Sequence, residues 1–126
     1  MTLPEDVLQW ALIAQIARLN ADERVHGVLM FRPLPGYLNE AEACEALSPA
    51  KDVDGITSAS AASLYTGVGK GFAPCTAEAV VALLDHYGVE ISGSNAVVVG
   101  RSLVIGRPAA MLLMRRDATV TAHMRQ

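Results

Sequence analysis

Apolar residues recur at helical spacing near the start of the chain, with Leu8, Leu12, Ile16 and Leu19 on one stripe and Glu5, Gln9, Gln15 and Arg18 largely off it. That period predicts a helix over 4–19, acidic at its positive end, with Asn20 as a left-handed terminator. After a polar connection, the apolar run 25–31 reads as a strand, stopped by Pro33-Leu34-Pro35-Gly36 because prolines fix φ and remove donors. Asn39 followed by Glu42 has capping-box spacing and predicts a short helix over 40–47, closed by Ser48-Pro49.

From 49 to 74 the period lapses. A polar turn at 51–55, a small-residue stretch at 58–63 and glycines at 67, 69 and 71 read as connection and site lining rather than core. Periodicity returns over 77–87, where Val80, Val81, Leu83 and Leu84 are expected to face inward, with Thr76 as N-cap and Gly88 at the C′ position. Ala96-Val97-Val98-Val99 suits a strand covered on both faces and ended by Gly100. A helix over 108–116 opens on Pro108 and closes on Arg115-Arg116, and a strand over 119–122 completes a βαβ unit. The class is α/β. Two parallel strands bury too little to stand alone, so further strands are expected from another segment or another chain.

Composition narrows this picture. At 126 residues and 52% hydrophobic content the chain can build a real core. Ten basic against thirteen acidic residues give a net charge of -3, and no basic cluster exceeds Arg115-Arg116, so no nucleic-acid surface is indicated. Cys44 and Cys75 lack metal-ligand or C-x-x-C spacing, which argues against a metal site or a disulfide framework. With no apolar run long enough to span a bilayer and acids where a signal peptide carries basic residues, a soluble cytoplasmic protein is expected.

The candidate chemistry centres on the turn after 96–99. Gly100 at a strand end and a helix opening near Pro108 form the βα turn at which a phosphate can dock on free amides and the helix dipole. The G-x-G-x-x-G spacing is not met, since Ser102 and Ile105 stand where glycines belong. About 20 residues beyond Gly100, where an NAD site offers an acid to the ribose, stand Thr121, Ala122 and His123, which favours NADP.

Several motifs in order then resemble one family. They are Val25-His26-Gly27-Val28-Leu29 with Pro33-Leu34-Pro35, then Ser48-Pro49-Ala50-Lys51-Asp52-Val53-Asp54-Gly55, then Gly71-Phe72-Ala73-Pro74-Cys75-Thr76, then Val98-Val99-Gly100-Arg101-Ser102 with Gly106-Arg107-Pro108, and lastly Ala118-Thr119-Val120-Thr121. Together they are similar to the bifunctional methylenetetrahydrofolate dehydrogenase/methenyltetrahydrofolate cyclohydrolase family. The resemblance implies part of a folate-binding α/β catalytic domain over 1–75, followed over 76–126 by the first βαβ unit of a Rossmann-type NADP-binding domain. It implies NADP as cofactor, a folate derivative as substrate class and a homodimer.

By the same resemblance, Asp54 would hydrogen-bond the pterin ring, Pro33, Leu34 and Pro35 would shape the folate cleft, and Pro74, Cys75 and Thr76 would lie between the domains. Gly100, Arg101, Ser102 and Gly106 would hold the cofactor, with Arg101 pairing with the 2′-phosphate and Arg125 helping. The departures are specific. The family's Y-x-x-x-K lysine and tyrosine and its P-G-G-V-G-P segment are absent, Phe31 stands at the Gln of Q-L-P-L-P, and Met124 stands where a Ser follows the His. The chain alone is therefore expected to be inactive, and a non-catalytic nucleotide- or folate-binding or interaction module is the alternative.

Overall fold

A computed structural model of the chain describes residues 2–123. Its elements run α1 (Gln9–Ala21), α2 (Glu40–Glu45), α3 (Ser58–Thr66), α4 (Cys75–His86), β1 (Asn95–Val99), α5 (Gly106–Met114) and β2 (Thr119–His123). Two apolar clusters form. In the first, Leu12 and Ile16 of α1 meet Ala43 and Leu47, with Val28, Met30, Leu34 and Ile56 packed around them. In the second, Val81, Ile91 and Leu113 pack beneath Ala96, Val98 and Val120 of the sheet.

The α/β class and the βαβ unit are as the sequence implies. Strands β1 and β2 pair in parallel, from Asn95 opposite Thr119 to Val99 opposite His123. The valine-rich strand is nevertheless covered on one face only. Ala96 and Val98 turn toward α4 and α5, while Val97 and Val99, on the face away from those two helices, are 66% and 68% exposed.

Helix α1 starts five residues later than the period suggests and runs through Asn20, which is helical rather than left-handed. Its C-terminal carbonyls find another partner. Lys51 Nζ donates to the carbonyls of Leu19, Asn20 and Asp22 at 2.9, 2.7 and 2.8 Å, so a cation takes the place of a glycine cap. The Asn20 amide donates to Ala46 O and its oxygen accepts from Ser48 N–H, at 2.8 and 2.9 Å, fastening α1 to the end of α2.

The strand expected over 25–31 is extended chain with a single parallel bridge, Val28 to Asp52, closed by Val28 N–H on Lys51 O at 2.7 Å. Among the described residues no neighbour continues the ladder, and a strand is defined by its partner as much as by its pattern. Helix α2 has the Asn39 cap, which accepts from Glu42 N–H at 3.1 Å. The return half of the capping box belongs instead to Gln9, whose amide accepts from Asn39 N–H and donates to Glu42.

The segment 49–74, read as connection, contains α3. Thr57 caps it by accepting from Ser60 N–H at 3.1 Å, and Gly67 at φ 74° ends it. Ser60 and Leu64 are buried. Its Ser/Ala composition carries no apolar period, although alanine favours the helix. Helix α4 is capped by Pro74, not Thr76, which is exposed; the Pro74 carbonyl accepts from Ala77 and Glu78 N–H at 2.9 and 3.1 Å.

Both helices of the second cluster end in the same closure. Gly88 at φ 66° lets its N–H reach Asp85 O and Val89 N–H reach Leu84 O, at 3.0 and 2.9 Å, a Schellman pair. Helix α5 repeats it with Asp117 at φ 63°, its N–H on Met114 O and Ala118 N–H on Leu113 O. Arg116 forks onto Asp85 at 2.9 and 2.6 Å, joining the ends of α4 and α5 across an exposed surface where solvent screens such a pair. A non-glycine residue at φ 63° is strained. Asp117→Gly is expected to raise stability by about 0.5–1 kcal/mol, seen as a higher Tm in thermal unfolding; an unchanged or lower Tm would show that the aspartate offsets its backbone strain.

Candidate functional site

Where the two clusters face one another, a cleft of about 520 Å³ opens between Arg32, Glu40 and Cys44 on one side, Gly55 to Ser58 on a second and Leu103 with Val104 on a third. Its first wall follows from the proline stop. The Arg32–Pro33 peptide is cis, Leu34 N–H donates to Glu40 at 2.8 Å, and the same carboxylate pairs loosely with Arg32 at 3.8 Å. Burial pushes the Cys44 thiol upward in pKa, against a lowering from the Arg32 charge, so it lies in the wall as a packed thiol rather than a nucleophile.

The second wall is a tight turn built around a buried acid. Asp52 has no solvent exposure and accepts from Ile56 N–H and Thr57 N–H at 2.9 Å each and from Ser60 Oγ at 2.6 Å. Thr57 Oγ1 in turn donates to Ser60 Oγ at 2.9 Å. Burial acts to raise the Asp52 pKa, but hydrogen bonds from Ser60, Thr57 and Ile56 outweigh it and hold the carboxyl below its ordinary value. At the N-terminus of α3, Glu45 accepts from Ser58 N–H and Oγ at 2.9 and 2.6 Å, which ties α2 to α3.

Within this turn Gly55 sits at φ 63°, and a Cβ there would come within 2.6 Å of Phe72 O and 2.9 Å of Pro74. Only glycine fits. The Cys75 thiol donates to Val53 O at 3.2 Å, so the start of α4 is latched to the same turn. Asp54, at its apex, is half-buried and makes no side-chain hydrogen bond among the described residues.

The third wall leads into the β1–α5 turn. Gly100 takes φ 128°, a conformation that favours glycine, and a Cβ on Gly106 would collide with the Gly100 carbonyl, so the first glycine is required by its backbone angle and the second by the close crossing of the chain. Ser102 Oγ accepts from Ile105 and Gly106 N–H at 3.1 and 3.2 Å, and its carbonyl accepts from Arg107 N–H at 3.0 Å. The amides expected to be free at this helix start are thus taken by Ser102; the dipole and the neighbouring arginines remain for an anion. Beside the turn, Gly100, Arg101, Gly106 and Arg107 share a mostly apolar hollow of about 300 Å³ with Tyr65, Ala110, Met111 and Ala122. Arg101 and Arg107 are exposed and, among the described residues, in no ion pair.

The predicted residues divide accordingly. Gly100, Arg101 and Gly106 share one hollow and Ser102 organises its turn, whereas Arg125 lies outside the described residues. Asp54 and Pro33-Leu34-Pro35 do not share a cavity: Leu34 lines a separate apolar groove against α1, and the cleft is lined by their neighbours Arg32 and Gly55. Phe31, at the expected Gln position, is 85% exposed. Lys51, Asp52, Thr57 and Ser60 were missed as structural determinants, although Thr57 three residues before Ser60 has the spacing of a helix cap.

Comparison with known proteins places this geometry. Residues 1–54 match the tetrahydrofolate dehydrogenase/cyclohydrolase catalytic domain, and residues 74–126 match the NAD(P)-binding domain of the same family. The chain belongs to this tetrahydrofolate dehydrogenase/cyclohydrolase family. Among curated relatives, the bifunctional protein FolD of Thermus thermophilus is 51% identical over 121 residues, which are 95% of this chain and 43% of that protein. FolD of Alkaliphilus oremlandii is 46% identical over 94% of this chain and 41% of its own length.

The solved FolD methylenetetrahydrofolate dehydrogenase/cyclohydrolase of Campylobacter jejuni superposes with a TM-score of 0.93 at 37% identity, covering 98% of this chain and 44% of that one. The Trypanosoma brucei enzyme, complexed with NADP cofactor and inhibitor, gives 0.87 at 38% identity over 97% of this chain and 41% of its own. The chain therefore spans well under half the length of these relatives. No helix of the described residues is long and apolar enough to cross a membrane, and no cluster of metal-ligating side chains occurs among them.

A depressed carboxyl pKa contributes stability that is fully present above the unfolded value near 4 and is lost as pH falls through the folded value. Asp52 is therefore expected to give the family fold an acid-sensitive component below about pH 4. Asp52→Asn should flatten the fall of Tm between about pH 5 and 2 while costing about 1.5–3 kcal/mol at neutral pH. An identical acid slope in both proteins would assign the sensitivity to other groups.

Proposed function

We propose that this chain binds NADP at the β1–α5 turn and a folate derivative beside Asp54, as a portion of an NADP-dependent methylenetetrahydrofolate dehydrogenase/methenyltetrahydrofolate cyclohydrolase. The observation that carries the cofactor half is Arg101, in no ion pair among the described residues, beside Gly100 at φ 128° and Gly106, whose position has no room for a side chain. An always-charged guanidinium fork matches a phosphate bidentately. The residues fit the cofactor: small or apolar Ala110, Met111 and Ala122 line the hollow, and no carboxylate stands among its lining residues. Bound there, NADP would supply the hydride acceptor for oxidation of a methylene bridge on tetrahydrofolate. The chain's own part is to hold the 2′-phosphate on Arg101, to keep the β1–α5 turn closed through Ser102, and to present Asp54 to the donors of a pterin ring.

This reading divides the chain at the start of α4, with 1–75 as catalytic-domain residues and 76–126 as the nucleotide-binding unit. The two apolar clusters, one on each side of that boundary, support the division. Pairing into a homodimer and residence in the cytoplasm belong to the same proposal. The exposed Val97 and Val99 face and the bare extended segment around Leu29 and Phe31 support association, since unpaired strand edges attract partners.

A second reading, binding without turnover, is favoured by where the lysines stand. The chain has only Lys51 and Lys70; Lys51 is bound to three carbonyls of α1 and Lys70 is exposed in the loop after α3. A positioned acid/base contributes on the order of 10²- to 10⁴-fold, and neither lysine is placed to act as one beside Asp54.

Titration with each nucleotide tests the cofactor assignment. NADP is expected to bind more tightly than NAD, and Arg101→Ala to abolish the difference; equal affinities in the unmutated chain would overturn it. In a steady-state assay with methylenetetrahydrofolate and NADP, or with methenyltetrahydrofolate, this 126-residue chain is expected to give no turnover above the uncatalysed rate. Robust turnover lost in Asp54→Ala would reject the second reading.

A further inference from the structure

Asp54 carries the folate half of the proposed function, yet among the described residues no hydrogen bond or ion pair holds its side chain. What fixes it is the turn beneath. Five constraints converge on the turn that begins at Lys51: Val28 N–H binds Lys51 O, Gly55 N–H binds Asp52 O, the Cys75 thiol binds Val53 O, the Phe72 to Pro74 backbone blocks Gly55, and Asp52 gathers Ile56, Thr57 and Ser60. Only the last is made by a side chain inside the turn. It is also the most directional, because a buried carboxylate with three donors has one arrangement that satisfies it, and any other leaves a charge unpaired.

We propose that Asp52 is a positioning residue for Asp54: by holding Ile56, Thr57 and the Ser60 hydroxyl on its two oxygens, it fixes the turn that presents the Asp54 carboxylate to the pterin ring. This rests on the reading of Asp54 as the folate contact. The relay is continuous, from the Thr57 hydroxyl to that of Ser60 to Asp52, and all three residues are at most 1% exposed. Asp52 therefore touches no ligand. Its influence passes through the backbone between 52 and 57, which Gly55 at φ 63° bends so that Asp54 stands at the apex. A shift of about 1 Å at such a contact is enough to cost about a hundredfold in a reaction that depends on orientation.

Ser60→Ala removes one of the three donors while leaving the two backbone bonds, so the fold is retained. Tetrahydrofolate binding is measured by titration calorimetry on the full chain, Ser60→Ala, Asp54→Ala and the double variant. Ser60→Ala is expected to weaken binding about 3- to 10-fold, Asp54→Ala at least 10-fold, and the double variant no further than Asp54→Ala alone, since the two residues act through one contact. Unchanged affinity in Ser60→Ala, or the same weakening with and without Asp54, overturns the positioning role. Unchanged affinity in Asp54→Ala overturns instead the folate reading. The three-bond couplings of the Asp54 β protons, recorded without ligand, then decide the positioning independently. One χ1 rotamer in the parent chain that becomes averaged in Ser60→Ala supports it; averaging already in the parent, or the same rotamer in both, rejects it whether or not tetrahydrofolate binds.

Discussion

A carboxylate removed from water must be surrounded by donors or it will not stay charged. In this chain Asp52 meets that demand with two amides and a hydroxyl, and much of the first half of the molecule is arranged to supply them. The residue before it, Lys51, reaches the other way and neutralises the carbonyl end of α1. The residue partnering it across the bridge, Val28, belongs to the apolar cluster beneath α1. The residues after it form the cap of α3. One dipeptide thus connects the end of one helix, an extended segment and the beginning of another, which is why the turn carrying Asp54 can be rigid without burying Asp54 itself.

The second half of the molecule is organised by backbone crossings more than by charge. Gly106 lies so close to the Gly100 carbonyl that it could not carry a side chain without moving the chain, and Gly100 itself is held at φ 128°, while Ser102 accepts from the amides that begin α5. The consequence for function is a division of labour. The helix start is closed by the protein's own serine, so under the proposed function recognition of the cofactor phosphate would rest on Arg101 and the dipole rather than on a ring of bare amides. The latch from Cys75 to Val53 and the packing of the Phe72–Pro74 stretch against Gly55 join this unit to the turn of the first, so the two candidate binding regions are held by a common set of contacts.

Elements with an apolar period were legible, because the period is a property of consecutive residues. The stripe of Leu12 and Ile16 and the inward face of α5 appear where that pattern places them, whereas Val97 and Val99 of β1 and Val80 and Leu83 of α4, expected to be covered, are exposed. Capping signals were legible where they are local, as at Asn39 and Gly88. Helix α3 was not, since serine and alanine bury little and leave no stripe, and its stability comes from the Thr57 cap and from Leu64 against its neighbours. The β1–α5 turn could be located from Gly100 and Gly106, but which donors it leaves free depends on where the Ser102 hydroxyl points.

What the sequence alone determined, then, is the α/β class, the βαβ unit and the family through its ordered motifs. These follow from local spacing and composition, which survive without knowledge of neighbours. What only the tertiary structure decided is which acid of Lys51-Asp52-Val53-Asp54-Gly55 is structural and which is available. Both aspartates read alike in a one-dimensional motif. Asp52 becomes an internal anchor because Ile56, Thr57 and Ser60 fold back over it, and Asp54 stays partly exposed, with no side-chain hydrogen bond among the described residues; burial and donor geometry are properties of contacts between segments, and no spacing along the chain encodes them.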